Sequence, residues 1–236
     1  MNPYQKLQQR KRTWTPVQTT AGKLNEGSEE TIYRALAMRH MELPVGSFIQ
    51  DALSEIPALS ADLLRSNVKD EENHDLALGY IANALGVDET AEAEAKRLRD
   101  AWEAHPDHTV LKALVAERAI FFVLLPFFRF NGDAGLRTVS ADISRDEQVH
   151  VAANSLVCRE LGLSISPSLD KLRKATINWV MTPLKSSTNK YLDKKFWLDA
   201  SDRLMYEGKA PELSDTKRAR MPAFFEHANP NLPQYA

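Results

Sequence analysis

Apolar residues recur at helical spacing along most of the chain, and four of these stripes are broken by a glutamate. Leu64, Val68, Glu71, His74, Leu78, Ile81 and Leu85 share one face of a predicted helix that Ser60 caps and Leu85-Gly86 ends. Ile143, Glu147, His150, Val157 and Leu161 do the same in a helix predicted from about Asp133 to Leu161, with Gly162 beyond its end. A third stretch holds Leu111, Leu114, Glu117, Phe121, Leu124, Leu125 and Phe128 and is apolar nearly all round; Pro126 should bend it and Asn131-Gly132 should end it. The fourth starts at Ser28, with Glu29 and Glu30 in its first turn, and runs through Ile32, Ala35 and Met38 to Glu42, where Pro44 and Gly46 should interrupt it.

The same periodicity predicts further helices from Asp88 to Ala104, from Ser166-Pro167 through Trp179, and from Lys190 to Tyr206. No strand alternation of useful length appears, and glycine is scarce at 9 residues. The expected fold is all-α, a core of four long helices with others packed outside. Residues 1–27 lack a clear period and read as an ordered arm rather than a helix, anchored by Trp14-Thr15-Pro16. Residues 28–208 form the bundle, and 209–236, with four of the twelve prolines, read as a tail on the surface or on a partner.

Composition narrows the function classes. A length of 236 residues suits one domain, and a formal net charge of −2 with 43% hydrophobic residues offers neither a polybasic arm for nucleic acid nor an acidic tail. Arg10, Lys11 and Arg12 read as a solvated start. The first twenty residues lack an apolar run of the secretory kind, so a cytoplasmic protein is expected; the longest apolar run, Ala119 to Phe128, is about half of what spanning a membrane requires. Cys158 is alone, which excludes an internal disulfide and argues against thiolate metal sites; it reads as an inert core thiol.

The chemistry lies in the interrupted stripes. A carboxylate on a core face needs a cation. Of the six histidines, only His74 and His150 have Glu three residues before them, and positions i and i+3 lie on one helix face, so each Glu/His pair can bind one ion. Glu42, Glu117 and the pairs Glu71/His74 and Glu147/His150 thus form the ligand set of a dimetal-carboxylate bundle, and an oxygen-rich site with one imidazole per metal suits iron or manganese. Glu72 points about 100° from Glu71 and belongs to the solvent side.

These residues resemble a known family, the small radical-generating subunit of class I ribonucleotide reductase, a ferritin-like fold. Ile143-Ser144-Arg145-Asp146-Glu147-Gln148-Val149-His150 is similar to its I-x-R-D-E-x-x-H helix, and Val115-Ala116-Glu117-Arg118-Ala119-Ile120-Phe121-Phe122 to its aromatic-rich ligand helix. Glu42 is followed four residues on by Gly46, and Trp14-Thr15-Pro16 matches an N-terminal Trp-x-Pro. The resemblance covers roughly Trp14 to Leu161.

It implies a radical source. A metal pair reacts with an oxygen species, and the oxidising equivalent leaves for a cysteine in a separate large catalytic subunit that reduces ribonucleotides. The family's exit path maps onto His74, Asp146 and Trp14, and its tail relay onto Tyr235, with Phe224-Phe225-Glu226 matching a segment near the ends of some members. A homodimer is implied, with neither nucleic acid nor membrane as partner. The chain departs from the commonest pattern at the radical-storing tyrosine, whose position is Leu78; Tyr80 lies about 200° around the helix. Members without that tyrosine keep the oxidising equivalent on the metals, so a manganese-containing pair, Mn/Mn or Mn/Fe, is expected in preference to Fe/Fe. The alternative is a ferritin-like dimetal oxidase or oxygenase acting on its own small substrate, which needs neither Trp14, Asp146 nor a tail. A storage or structural bundle is the third reading, and storage proteins form cages rather than dimers.

Overall fold

The structure, a computed structural model, describes residues 1–213; Tyr235 and Phe224-Phe225-Glu226 lie outside the described residues. Among the described residues there is no strand, only an isolated bridge between Lys185 and Asp193, and the fold is all-α as expected. No helix among them is long and apolar enough to cross a membrane.

The arm holds a short helix that its polar sequence does not suggest, α1 (Pro3–Gln8), so the expectation of a non-helical arm fails there. Asn2 and Gln5 cap it reciprocally, Pro3 fits the first turn, and Tyr4 and Leu7 are buried. Next, α2 (Glu29–Ala37) passes through a 3-10 turn at Met38–Met41 into α3 (Glu42–Ala52). The expected interruption at Pro44 and Gly46 is corrected here: both lie inside α3, and Glu42 opens that helix instead of ending α2. A proline in the first turn sacrifices an N–H that has no intrahelical partner, so it starts a helix without breaking it. Nor do Ser28 and Ser60 cap with their side chains; their hydroxyls donate back to Asn25 O and Pro57 O, each at 2.6 Å.

After α4 (Ala61–Leu85), Gly86 takes a positive φ of 87° and ends the helix. Asp88 caps α5 (Glu89–Glu103) through Ala91 N–H at 2.7 Å. The apolar stretch is α6 (Thr109–Ala116), a π turn at Glu117–Phe121, and α7 (Phe122–Asn131). Its departure from α geometry lies at the glutamate, upstream of Pro126, which is accommodated within α7. Asp133 caps α8 (Ala134–Glu160), Ser166 caps α9 (Pro167–Met181), and α10 (Lys194–Glu207) ends at Gly208.

A ring of four helices forms the core. The first member, α3, packs on α4 and on α6, and α8 closes the ring by packing on α4, α6 and α7. Each member brings in part of the interrupting set: Glu42 opens α3, Glu71 and His74 lie in α4, Glu117 stands at the end of α6 in the π turn, and Glu147 and His150 lie in α8. This arrangement is consistent with a ferritin-like bundle. Outside it, α2 lies on α5, and α10 lies on α9 and α7. Trp102 and Trp197 are fully buried there and keep their N–H groups satisfied by Thr176 Oγ1 (3.0 Å) and Tyr191 O (3.2 Å). Burying such a ring contributes about 4–6 kcal/mol gross.

Two glycines test how tightly the ring is built. A Cβ on Gly132, at the corner between α7 and α8, would lie 2.5 Å from Phe128 O and 2.6 Å from Leu136 Cβ, so Gly132→Ala should force the corner apart and lower the melting temperature by several degrees. A Cβ on Gly46 would meet Glu71 Cβ at 3.4 Å, ordinary contact, so Gly46→Ala should fold normally and gain up to about 1 kcal/mol from the less mobile unfolded chain. Thermal unfolding of the two variants checks both; a large loss for Gly46→Ala would mean that α3 and α4 approach more closely than this packing allows.

Candidate metal centre

The four stripes converge. Glu42, Glu71, His74, Glu117, Glu147 and His150 are each at most 1% exposed, and their side chains meet inside the ring. Their ligand atoms form two sets within 4.8 Å, one of Glu42, Glu71, His74 and Glu147 and one of Glu71, Glu117 and His150. Glu71 belongs to both. Its Oε2 lies 3.2 Å from His74 Nδ1 and its Oε1 lies 2.9 Å from His150 Nδ1. The simple pairing of Glu147 with His150 needs refinement, because Glu147 Oε1 is nearer His74 Nδ1 (3.4 Å) than His150 Nδ1 (3.9 Å). One glutamate thus spans the two sets and a second leans across them.

Hydrogen bonding leaves the centre unfinished. Glu42 Oε2, Glu71 Oε1, Glu117 Oε1, both Glu147 oxygens and His150 Nδ1 are buried without a hydrogen-bond partner. The 2.9 Å approach of His150 Nδ1 to Glu71 Oε1 is close but badly aligned for a hydrogen bond. Orphaned donors and acceptors in such number are costly, several kcal/mol for each buried ion, unless a cation completes them. Four carboxylates carry the charge that two divalent ions would balance, and all the orphaned atoms are metal-ligand types. The residues therefore fit a dinuclear metal site.

Both imidazoles present Nδ1 inward and Nε2 outward, and each outward nitrogen meets an aspartate from the opposite helix. His74 Nε2 lies 3.2 Å from Asp146 Oδ2, and His150 Nε2 lies 2.9 Å from Asp70 Oδ2. The two helices run antiparallel in this register, so the Asp of each Asp-Glu-x-x-His run faces the His of the other. A carboxylate on one ring nitrogen keeps the proton there and leaves the other nitrogen free for a metal. Trp14 Nε1 donates to Asp146 Oδ2 at 2.6 Å, and its half-buried ring stacks on His74 with centroids 6.2 Å apart. The three residues assigned by resemblance to the exit path are thus in direct sequence from the centre to the surface.

Sequence reasoning missed Asp70, Lys11, Asn67 and Asn154. Lys11 is not solvated: its side chain is 11% exposed and pairs with Asp70, and Nζ donates to Asn67 Oδ1 at 2.9 Å. Asn154 Nδ2 donates to Glu117 Oε2 at 2.8 Å. Two of these had a signal, since Asp70 precedes Glu71 as Asp146 precedes Glu147, and Asn154 follows His150 by one turn on the same face. Glu72 is exposed, as expected, and Leu78 is buried in the core. Cys158 is buried, its thiol pushed up to about 12 by burial and then by the Glu117 charge, which keeps it inert.

Protonation in the metal-free centre follows from crowding. Burial, and then the neighbouring carboxylate charges, push Glu42 and Glu117 well above the usual carboxylate range and Glu147 above it. Burial works against charge on His74 and His150, but the surrounding carboxylates outweigh it and raise both. Glu71 runs the other way: burial would raise it, yet the two imidazoles hold it well below its ordinary value. A group raised in the folded state adds stability below its unfolded pKa and loses it as pH rises through the folded one. Metal-free protein should therefore lose stability as pH rises above the ordinary values of 4.5 for the three glutamates and 6.5 for the histidines. Metal competes with those same protons. The melting-temperature gap between metal-loaded and chelated protein should thus widen from about pH 5 to about pH 8, and a gap independent of pH would contradict this protonation scheme.

Compared with known protein families, curated proteins and solved structures, the chain matches none of them.

Proposed function

We propose that this chain is a radical-generating subunit of the class I ribonucleotide reductase type, working in the cytoplasm as a homodimer with a large catalytic subunit. The observation that carries the reading is the continuous chain from Trp14 through Asp146 to His74, with contacts of 2.6 and 3.2 Å. A self-contained oxidase has no use for a hydrogen-bonded aromatic leading away from its metals. When bound, a manganese-containing metal pair supplies one-electron oxidising power after reaction with an oxygen species. Asp146 holds the outward nitrogen of His74 and takes the indole proton at Oδ2 as Trp14 gives up an electron. The ring of buried apolar residues keeps water from the ligands.

Storage on the metals, rather than on a tyrosine, is supported by Leu78, and among the described residues no hydrogen bond to the six ligands comes from a tyrosine. The test is reconstitution with manganese and iron in the presence of a class I large subunit and a ribonucleotide. Deoxyribonucleotide should form only when both subunits are present, together with an electron paramagnetic resonance signal coupled to the metals. A loaded protein that oxidises small substrates alone and never supports nucleotide reduction would overturn the proposal.

A further inference from the structure

The second histidine has an outer partner for which the exit path has no use. Asp70 Oδ2 meets His150 Nε2 at 2.9 Å, and Asp70 is itself paired with Lys11, which reaches in from the N-terminal arm. Lys11 is held at a second point by Asn67 Oδ1 at 2.9 Å, and Asn67 is 1% exposed. The Asp70 and Lys11 side chains are only 13% and 11% exposed, so this is a partly buried clamp rather than a fully solvated ion pair. Trp14, three residues along the same arm, makes the equivalent contact for the other histidine through Asp146. Lys11, Trp14 and Asp70 line one cleft of about 400 Å³, so the arm residues that contact the two aspartates share it, although Asp146 itself is buried behind Trp14.

We propose that Asp70 is a positioning residue for His150, that Lys11 locks Asp70 in that role, and that the arm thereby governs how firmly the second metal is held. The inference rests on the dinuclear-metal reading. An anionic acceptor on Nε2 fixes the imidazole proton on that nitrogen, leaves the Nδ1 lone pair facing Glu71 and Glu117, and makes Nδ1 a stronger donor to a metal. Lys11 stops Asp70 from swinging into the cleft. The effect is confined to one half of the centre, because His74 has its own aspartate.

The test is titration of metal-free, full-length protein with manganese(II), counting bound ions by loss of the free-ion resonance signal, alongside hydrogen exchange of residues 9–14. The parent should bind two ions. Asp70→Asn and Lys11→Met should each weaken one of them by about 10–100-fold and leave the other at parental affinity, and Lys11→Arg should restore the weakened one. Two parental affinities in both variants, with faster exchange in the arm, would show that Lys11 and Asp70 merely tether the arm and would overturn the inference while leaving the metal reading intact. Equal weakening of both ions would overturn it as well, since the clamp would then be supporting the whole ring. A parent that binds no ion would remove the metal reading and this inference together.

Discussion

Glu71→Gln is expected to strip the protein of both metal ions, whereas Glu42→Gln or Glu117→Gln should each cost one. The difference follows from membership: Glu71 contributes to both ligand sets, Glu42 only to the set with His74, and Glu117 only to the set with His150. Glutamine keeps the volume and removes the charge, so packing is not the variable. The stability consequence is large. An ion present at about 100 times its dissociation constant stabilises the fold by about 2.7 kcal/mol, about 5–10 °C in melting temperature for a domain of this size. Loaded Glu71→Gln should therefore melt no higher than the chelated parent, and lower to the extent that the two imidazoles lose the carboxylate they hold ionised. Chelated Glu117→Gln should melt no lower than the chelated parent, because it removes one of several mutually repelling buried carboxylates. Metal counts and melting curves for the three variants check this; loss of a single ion from Glu71→Gln would show that the bridging role belongs to Glu147.

Trp14→Phe is expected to leave both ions in place and lower partner-dependent nucleotide reduction by about 10²–10⁴-fold. Phenylalanine keeps an aromatic face over His74, where the indole now stacks, but has no N–H to donate to Asp146 Oδ2. A phenyl ring is also far harder to oxidise than an indole, so it supplies neither the electron nor the proton that Asp146 would take. A structural plug over the bundle end would be filled nearly as well by phenylalanine. Parental turnover in Trp14→Phe, with parental metal content, would remove the exit path and favour the self-contained oxidase.

The sequence made Glu71, His74, Glu117, Glu147 and His150 visible because each is a polar residue placed where helical phase demands an apolar one, and phase is a local property; Glu42 was reached only by running that phase across a 3-10 turn that breaks it. The same logic found α4, α5, α8, α9 and α10, the run that divides into α6 and α7, and the glycines beyond α4, α7 and α8. It failed at Glu42's helix, where a 3-10 turn resets the phase and Pro44 is harmless in a first turn. It also failed at α1, whose six residues are held by a capping box and two buried side chains rather than by any period. Asp70 escaped for a different reason. Its role exists only because α4 and α8 cross antiparallel, which brings it opposite His150, and no single helix carries that information. The π turn at Glu117–Phe121 was hidden by Pro126, the residue that sequence rules make responsible for irregularity.

Whether the buried ring of carboxylates and imidazoles holds two metal ions is decided by metal content. Protein produced with both manganese and iron supplied should carry two ions per chain, manganese among them, and should lose them on chelation with a fall in melting temperature. Protein that carries no ion, takes up none when manganese and iron are added back, and melts at the same temperature with and without chelator would contradict the account.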